Sequence, residues 1–392
     1  MSRRQCTPEP VSENPHRVLL LCPDAVAREA ATAAGFDTWS VEGPADTGRS
    51  TARRVAVDLA DPGALHTTLV GTARTHGIPH IVYLGEAEAL HLAAERALRE
   101  LAPRRAEPLR RLRDPALMRR ILNQGRVSEV RARPATTAEA VRELVEDFSL
   151  PVAVKAGRAS GTTVIRSRGD LDRWLADAPA GPHLVEEFLT GPRVSVDTLT
   201  CDGMHEVTGM TTRRATDAVL LHPGALAEAD RVEIRAAVRA LLDLAGLQSG
   251  PAHTEVVVTA NGPRIAASRA RLGARPIRRL ARAATGRAPE EDVLSALAGS
   301  PRCRPVPGRS AALARLTLRR AGGDLAAVLN DIGGMRHVDE IRVVDADAAV
   351  PEHVEVIVHG GSHQEVDEGL AAVRRRWEGR SPHGAGSGPG TR

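Results

Sequence analysis

The chain has 392 residues, enough for two or three domains that each bury a core. Its 53 Lys and Arg nearly balance 49 Asp and Glu, for a net charge of +4 with the signs interspersed, which argues against a basic nucleic-acid-binding class. Aromatic residues are only 2%, so Ala, Leu and Val must build the interior and few rings remain for base stacking.

Taken in chain order, "RVLLLC" (17–22) is an apolar strand run. "DAVAREAATAAG" is a helix that ends on Gly35, and "DTWSV" and "RVAVDL" are further strands. "PGALHTTLVGTARTHG" is a helix, "HIVYLG" a strand and "EALHLAAERALREL" a helix. This alternation predicts a doubly wound parallel sheet over residues 15–102. The turn after the first strand reads Cys22-Pro23-Asp24 and lacks G-x-G-x-x-G, so no dinucleotide site is expected there. "PRRAEPLRRLRDP" (103–115) reads as a solvated linker leading into a helix; no aromatic residue interleaves its arginines as a nucleic-acid patch would need.

From 114 to 188 the pattern runs helix, strand, helix, strand, hairpin, helix, strand. "ALMRRILNQG" is a helix closed by Gly125, and "TTAEAVRELVEDF" is a helix with a threonine cap. Two hairpins follow, turning at Asp202-Gly203 and Asn261-Gly262, with the amphipathic helix "ADRVEIRAAVRALLDLAG" (229–246) between them. A mixed region from "SAALARLTLRRAGG" to "AAVRRRWEG" closes the fold, and no internal repeat is found.

Cys6, Cys22, Cys201 and Cys303 are far apart, with no C-x-x-C or Cys/His metal spacing, which points to a reducing, cytoplasmic location. "MSRRQCTPEPVSENPH" has no apolar signal region, no run reaches membrane-spanning length, and residues 1–15 and 380–392 read as disordered tails.

Among all 53 cationic side chains one is a lysine, Lys155, in "VAVKAGRASG". A stray lysine is one explanation. The chemical one is that a thin ammonium stem reaches phosphate oxygens where a planar guanidinium does not fit. Gly157 and Gly161 can bring backbone N–H groups up to an anion, with Ser160, Thr162 and Thr163 as hydroxyl donors. The lysine precedes the glycines and "TTVIRS" returns as a strand, so the motif is a hairpin lid and differs from a P-loop.

Four motifs in order resemble the ATP-grasp ligases, and more closely the branch that joins amino acids by carboxylate–amine ligation. They are "LRDPALMRRIL", "PVAVKAGRASGTTVI", "VEEFLTGPRVSVD" and "HTEVVVTANGPRIAASRARLGA". The resemblance spans roughly residues 15–378. It implies an N-terminal α/β domain (16–108), then two α+β lobes that clasp ATP, a small one (109–190) and a large one (191–379). Within it, Lys155 and the 157–163 loop, with Gly157, Ser160, Gly161 and Thr162, would meet the phosphates. Main-chain groups near Glu187 and Leu189 would bond adenine, with Glu186 at its amino edge. Glu255 would be a Mg²⁺ ligand, and Arg271 would steady the acyl phosphate. The roles of His222 and His253 stay open. The implied partners are a small carboxylic acid and an amine, with no nucleic acid and no membrane, and a homodimer is left open.

The pattern also departs from the family. Pro115 stands where a lysine is usual, Arg193 where a glutamate is usual, Ala267 where a second metal carboxylate is usual, and Arg269 where many members have asparagine. Mg²⁺ needs hard oxygen ligands. The expectation is therefore an ATP-dependent ligase with a reduced metal site, or a catalytically impaired scaffold of the same fold.

Overall fold

The computed structural model describes residues 16–44, 53–157, 161–299, 308–317, 325–344 and 353–378. The tails expected at 1–15 and 380–392, Ser160, Cys6 and Cys303 lie outside these residues. Two compact units are described separately: residues up to 106 with a segment beginning at 293, and residues 107–292 with the C-terminal remainder.

The first unit contains β1 (Arg17–Leu21), α1 (Ala25–Ala33), β2 (Asp37–Glu42), β3 (Arg54–Ala56), α2 (Pro62–His76), β4 (His80–Val82) and α3 (Glu88–Leu101). Its sheet has the order β3-β2-β1-β4 and every pairing is parallel. Parallel strands are covered on both faces, which is why β1 reads as a continuous apolar run with Val18 to Leu21 at most 1% exposed. Asp24 and Asp61 accept hydrogen bonds from the first-turn N–H groups of α1 and α2, so both helices start where a short acceptor side chain is available.

The stretch 103–113, expected as a linker leading into a helix, is helical throughout, α4 (Pro103–Arg113), and the division between the two units falls within it. Leu112 is fully buried in the core of the second unit. Glu107 holds Arg110 and Arg111 one turn on, and their hydrogen bonds, Arg110 first, pull its carboxyl down to about 2. The arginine excess concealed an amphipathic helix whose cations are partly neutralised within it.

The second unit continues with α5 (Pro115–Gln124), β5 (Ala132–Ala135), α6 (Ala138–Asp147), β6 (Val152–Ala156), β7 (Thr162–Ile165), α7 (Arg168–Ala176) and β8 (His183–Glu187). It then runs β9 (Arg193–Cys201), β10 (Met204–Arg213), β11 (Leu220–His222), α8 (Glu228–Ala245), β12 (Gly250–Thr259), β13 (Gly262–Arg269) and α9 (Arg275–Thr285). The last elements are α10 (Pro289–Leu297), which runs into the segment grouped with the first unit, β14 (Ser310–Thr317), α11 (Leu325–Gly333), β15 (Val338–Val344), β16 (His353–Gly360) and α12 (His363–Glu378).

Two antiparallel sheets result. The smaller has the order β5-β8-β6-β7, with α6 and α7 packed on one face through Val141, Val145 and Leu171. The larger has eight strands, β13-β12-β9-β10-β11-β14-β16-β15. The β9–β10 hairpin turns on Asp202 and Gly203, both at positive φ (49° and 72°), the backbone that an Asp-Gly pair supplies at little cost. Helices α5 and α8 cover one face of β9, β12 and β13 through Met118, Leu122, Ile234 and Leu241. The strand period of two then turns Arg193, Ser195 and Asp197 of β9, and His253 and Glu255 of β12, to the other face. Among the described residues no helix is long and apolar enough to cross a membrane.

Candidate functional site

The β6–β7 hairpin pairs Lys155 with Thr162 and Val152 with Ile165. In β6 the alternation sends Val152 and Val154 into the core beneath α6 and α7, so Lys155 faces the other way. There it is only 7% exposed. Its Nζ donates to Glu186 Oε2 on β8 and, at 2.7 Å, to the carbonyl of Ala266 on β13. The small sheet therefore meets the β12–β13 hairpin at this ammonium. Burial holds Lys155 below the ordinary lysine range, against the opposing pull of Glu186.

Glu186 is held from its other side by Arg119 of α5. Arg119 Nε donates to Glu186 Oε1 at 2.8 Å, and its two terminal nitrogens donate to the carbonyls of Ser128 (2.9 Å) and Ile265 (2.6 Å). Arg119 and Glu186 are each 2% exposed. The Ser128 hydroxyl in turn accepts from the N–H of Ile265 at 2.8 Å. The Ala266 carbonyl is available because β13 carries a bulge: Glu255 pairs with Ala267 and Val256 with Ile265, which leaves Ala266 unpaired. A bulge re-aims the backbone, and here it turns one carbonyl to Lys155.

Sequence reasoning missed Arg119, although a signal was present. Pro115, Met118, Arg119 and Leu122 are the buried residues of α5, the i, i+3, i+4, i+7 stripe of an amphipathic helix. A guanidinium on that stripe requires a buried acceptor set.

The other proposed nucleotide contacts are placed as follows. Gly157 donates its N–H to Pro182 O at 2.8 Å, and a Cβ there would sit 3.0 Å from that oxygen, so close chain approach requires glycine. Gly161 and Thr162 are exposed. Glu187 is exposed, its carboxylate accepts from Arg131 N at 2.9 Å, and its own N–H donates to Arg131 O. Any further main-chain contact from Glu187 is thus limited to its carbonyl. Leu189 follows the end of β8 and is partly buried. Pro115 opens α5, where Asp114 accepts from Ala116 and Leu117 N–H.

On the far face of the large sheet, Glu255 is 52% exposed and lies 3.8 Å from Arg193. Its cross-strand partners are Ser195 and Ala267. No group of three or more His, Cys, Asp or Glu side chains fit to hold a metal occurs among the described residues. One carboxylate with a guanidinium beside it does not fit a bridged pair of Mg²⁺ ions. Near Glu255, His253 Nδ1 lies 2.7 Å from Asp197 Oδ1. Burial opposes a charged imidazole, but the hydrogen bond and charge of Asp197 outweigh it, and His253 titrates above the ordinary histidine range. His222 lies on the same sheet, 3.0 Å from Thr211 Oγ1, and its burial pushes it below that range. The Nε of Arg271 is buried with no hydrogen-bond partner among the described residues, and its charge is felt at His253.

No family model matches the sequence, and no curated protein matches it. Solved structures do. The L-amino acid ligase from Bacillus licheniformis is 19% identical with a TM-score of 0.73, covering 92% of this chain and 97% of that one. The N5-carboxyaminoimidazole synthase from Aspergillus clavatus, in complex with ADP and 5-aminoimidazole ribonucleotide, is 11% identical with a TM-score of 0.72, covering 92% and 98%. Biotin carboxylase from Campylobacter jejuni, as a β,γ-ATP complex, is 12% identical with a TM-score of 0.66, covering 92% and 91%. These matches run over nearly the whole of each chain and show that this chain shares their fold, the ATP-grasp fold.

Proposed function

We propose that the chain is an ATP-dependent carboxylate–amine ligase acting on an amino acid or a similar small acid, with ATP between the 109–190 and 191–379 lobes. The observation that carries this reading is the buried ammonium of Lys155, presented by the β6–β7 hairpin to the β12–β13 strands. A carboxylate oxygen would attack the γ-phosphorus, and ADP would leave. The amine would then attack the acyl carbon, inorganic phosphate would leave, and the nitrogen would lose a proton. Such a transfer relies on fixed charge opposite the developing oxyanions. Lys155 would bind phosphate oxygens, the 157–163 loop would cover them, the main chain near Glu187 and Leu189 would bond adenine, and Arg271 would stabilise the acyl phosphate and the tetrahedral adduct. The described residues do not fit a two-metal site, because Glu255 stands alone with Arg193 beside it.

A second reading, a scaffold of this fold without turnover, is favoured by one observation: Glu255 faces Ala267 and has Arg193 beside it. Arg271→Ala separates the two. In a ligase it lowers ADP release stimulated by acid–amine pairs by about 10²–10³, roughly 3–4 kcal/mol, with ATP affinity nearly intact. If no acid–amine pair stimulates ADP release from the wild-type protein and Arg271→Ala changes only thermal stability, the scaffold reading replaces the ligase.

A further inference from the structure

Lys155 is the cation proposed to meet phosphate, but in this structure its ammonium already has a carboxylate, Glu186. A lysine neutralised by one glutamate is a weak anion site, because an incoming phosphate meets a pair of zero net charge. The geometry resolves this through Arg119. The buried cluster holds two cations, Arg119 and Lys155, and one carboxylate, Glu186, bonded through a different oxygen to each. Glu255, whose charge also reaches Lys155, has Arg193 as its own neighbour. One positive charge of the cluster is therefore left over.

Where that charge is available follows from the hydrogen bonds. Arg119 is spent on inward acceptors: Glu186, the Ser128 carbonyl and the Ile265 carbonyl. At 2% exposure it has no path to a ligand. Lys155 bonds to Glu186 and one carbonyl, and an ammonium has three donors. We propose that Arg119 is a positioning residue that makes Lys155 an anion site: it takes Glu186 as its own counter-ion, so that the ammonium's charge is free to be neutralised by a polyphosphate. The inference rests on the ATP-site reading and adds to it a residue that touches no nucleotide.

The same charge count predicts rescue, which a packing role does not. Arg119→Met leaves Lys155 and Glu186 as a neutral pair and weakens anion binding. Glu186→Gln leaves two cations and strengthens it. The double variant returns the cluster to a single positive charge and restores binding toward wild type.

The experiment is calorimetric titration of the full-length protein with inorganic tripolyphosphate at low salt, for wild type, both single variants and the double variant. This probe lacks adenine, so any contact between Glu186 and the base is removed from the comparison. Arg119→Met is expected to weaken binding by about tenfold or more, the scale of one unscreened charge at this range. Unchanged affinity in Arg119→Met, or a double variant as weak as Arg119→Met, overturns the assignment. Should Arg119→Met fail to fold, Glu186→Gln alone decides: tighter binding supports it, and equal or weaker binding overturns it. Parallel ADP-release assays keep this apart from the ligase reading. Tripolyphosphate affinity that follows the charge count, with no ADP release from any acid–amine pair, sinks the ligase and keeps Arg119 in its role. ADP release in wild type without rescue in the double variant does the reverse.

Discussion

Two charged clusters lie in the second unit. In one, Arg119, Glu186 and Lys155 are at most 7% exposed, and each charged group reaches a partner within the protein. In the other, Glu255 and Arg193 are each more than half exposed and approach only to 3.8 Å. The first is assembled from a helix, the small sheet and the bulged strand β13; the second stands on the open face of β9 and β12. In the buried cluster desolvation makes each charge depend on the others. In the exposed one, water screens the pair, and its contribution to stability is small. The proposed phosphate site lies at the first cluster, while the second offers one carboxylate, Glu255, with a guanidinium beside it.

The contrast can be broken most directly through stability. Glu186→Ala strands two buried cations and is expected to cost about 3–5 kcal/mol in urea unfolding. A loss under about 1 kcal/mol would mean that water reaches this cluster, and the contrast with Glu255 would collapse. Next in size is nucleotide binding. Lys155→Ala is expected to weaken ATP by about 1.5–3 kcal/mol, and Lys155→Arg also weakens it, because a fork replaces a point charge. Equal affinity in both variants would remove Lys155 from the site.

The exposed cluster gives smaller effects. Ala267→Glu puts a carboxylate directly across from Glu255. It should deepen the Mg²⁺ dependence of ATP binding on the order of tenfold, about 1.4 kcal/mol, read as the ratio of affinities with magnesium and with chelator. A wild type that binds ATP only with Mg²⁺, and is not improved by this change, would show that Glu255 already suffices. Glu255→Ala, the smallest perturbation, should alter folding stability by no more than about 0.5 kcal/mol in the same urea experiment. A larger loss would mean that its contact with Arg193 is not screened.

Much of this architecture was readable along the chain because its causes are local. The parallel sheet follows from apolar runs alternating with helical stripes; the β9–β10 hairpin turns on Asp202-Gly203, both at positive φ, while at the β12–β13 hairpin Gly262, at a φ of 88°, alone of the Asn261-Gly262 pair takes the left-handed backbone. Lys155 stood out by composition, and its hairpin by the glycines beside it. The stretch 103–113 was misread because clustered arginines look solvated, whereas Glu107 and Leu112 make it a helix with a buried side.

Local periodicity and turn chemistry therefore set most of the order of elements up to the β12–β13 hairpin, and composition marked the one lysine. What the sequence could not supply is the partner of each buried charge. Glu186 is 67 residues from Arg119, and the carbonyl that Lys155 reaches is 111 residues away. The periodicity of α5 marks position 119 as buried, but only the packing of that helix against β8 and a bulged β13 turns a guanidinium there from a desolvation penalty into the counter-charge of Glu186. The physical reason is that hydrophobic period and turn chemistry act over a few residues, while a buried ion is tolerated only where distant segments bring its acceptors together.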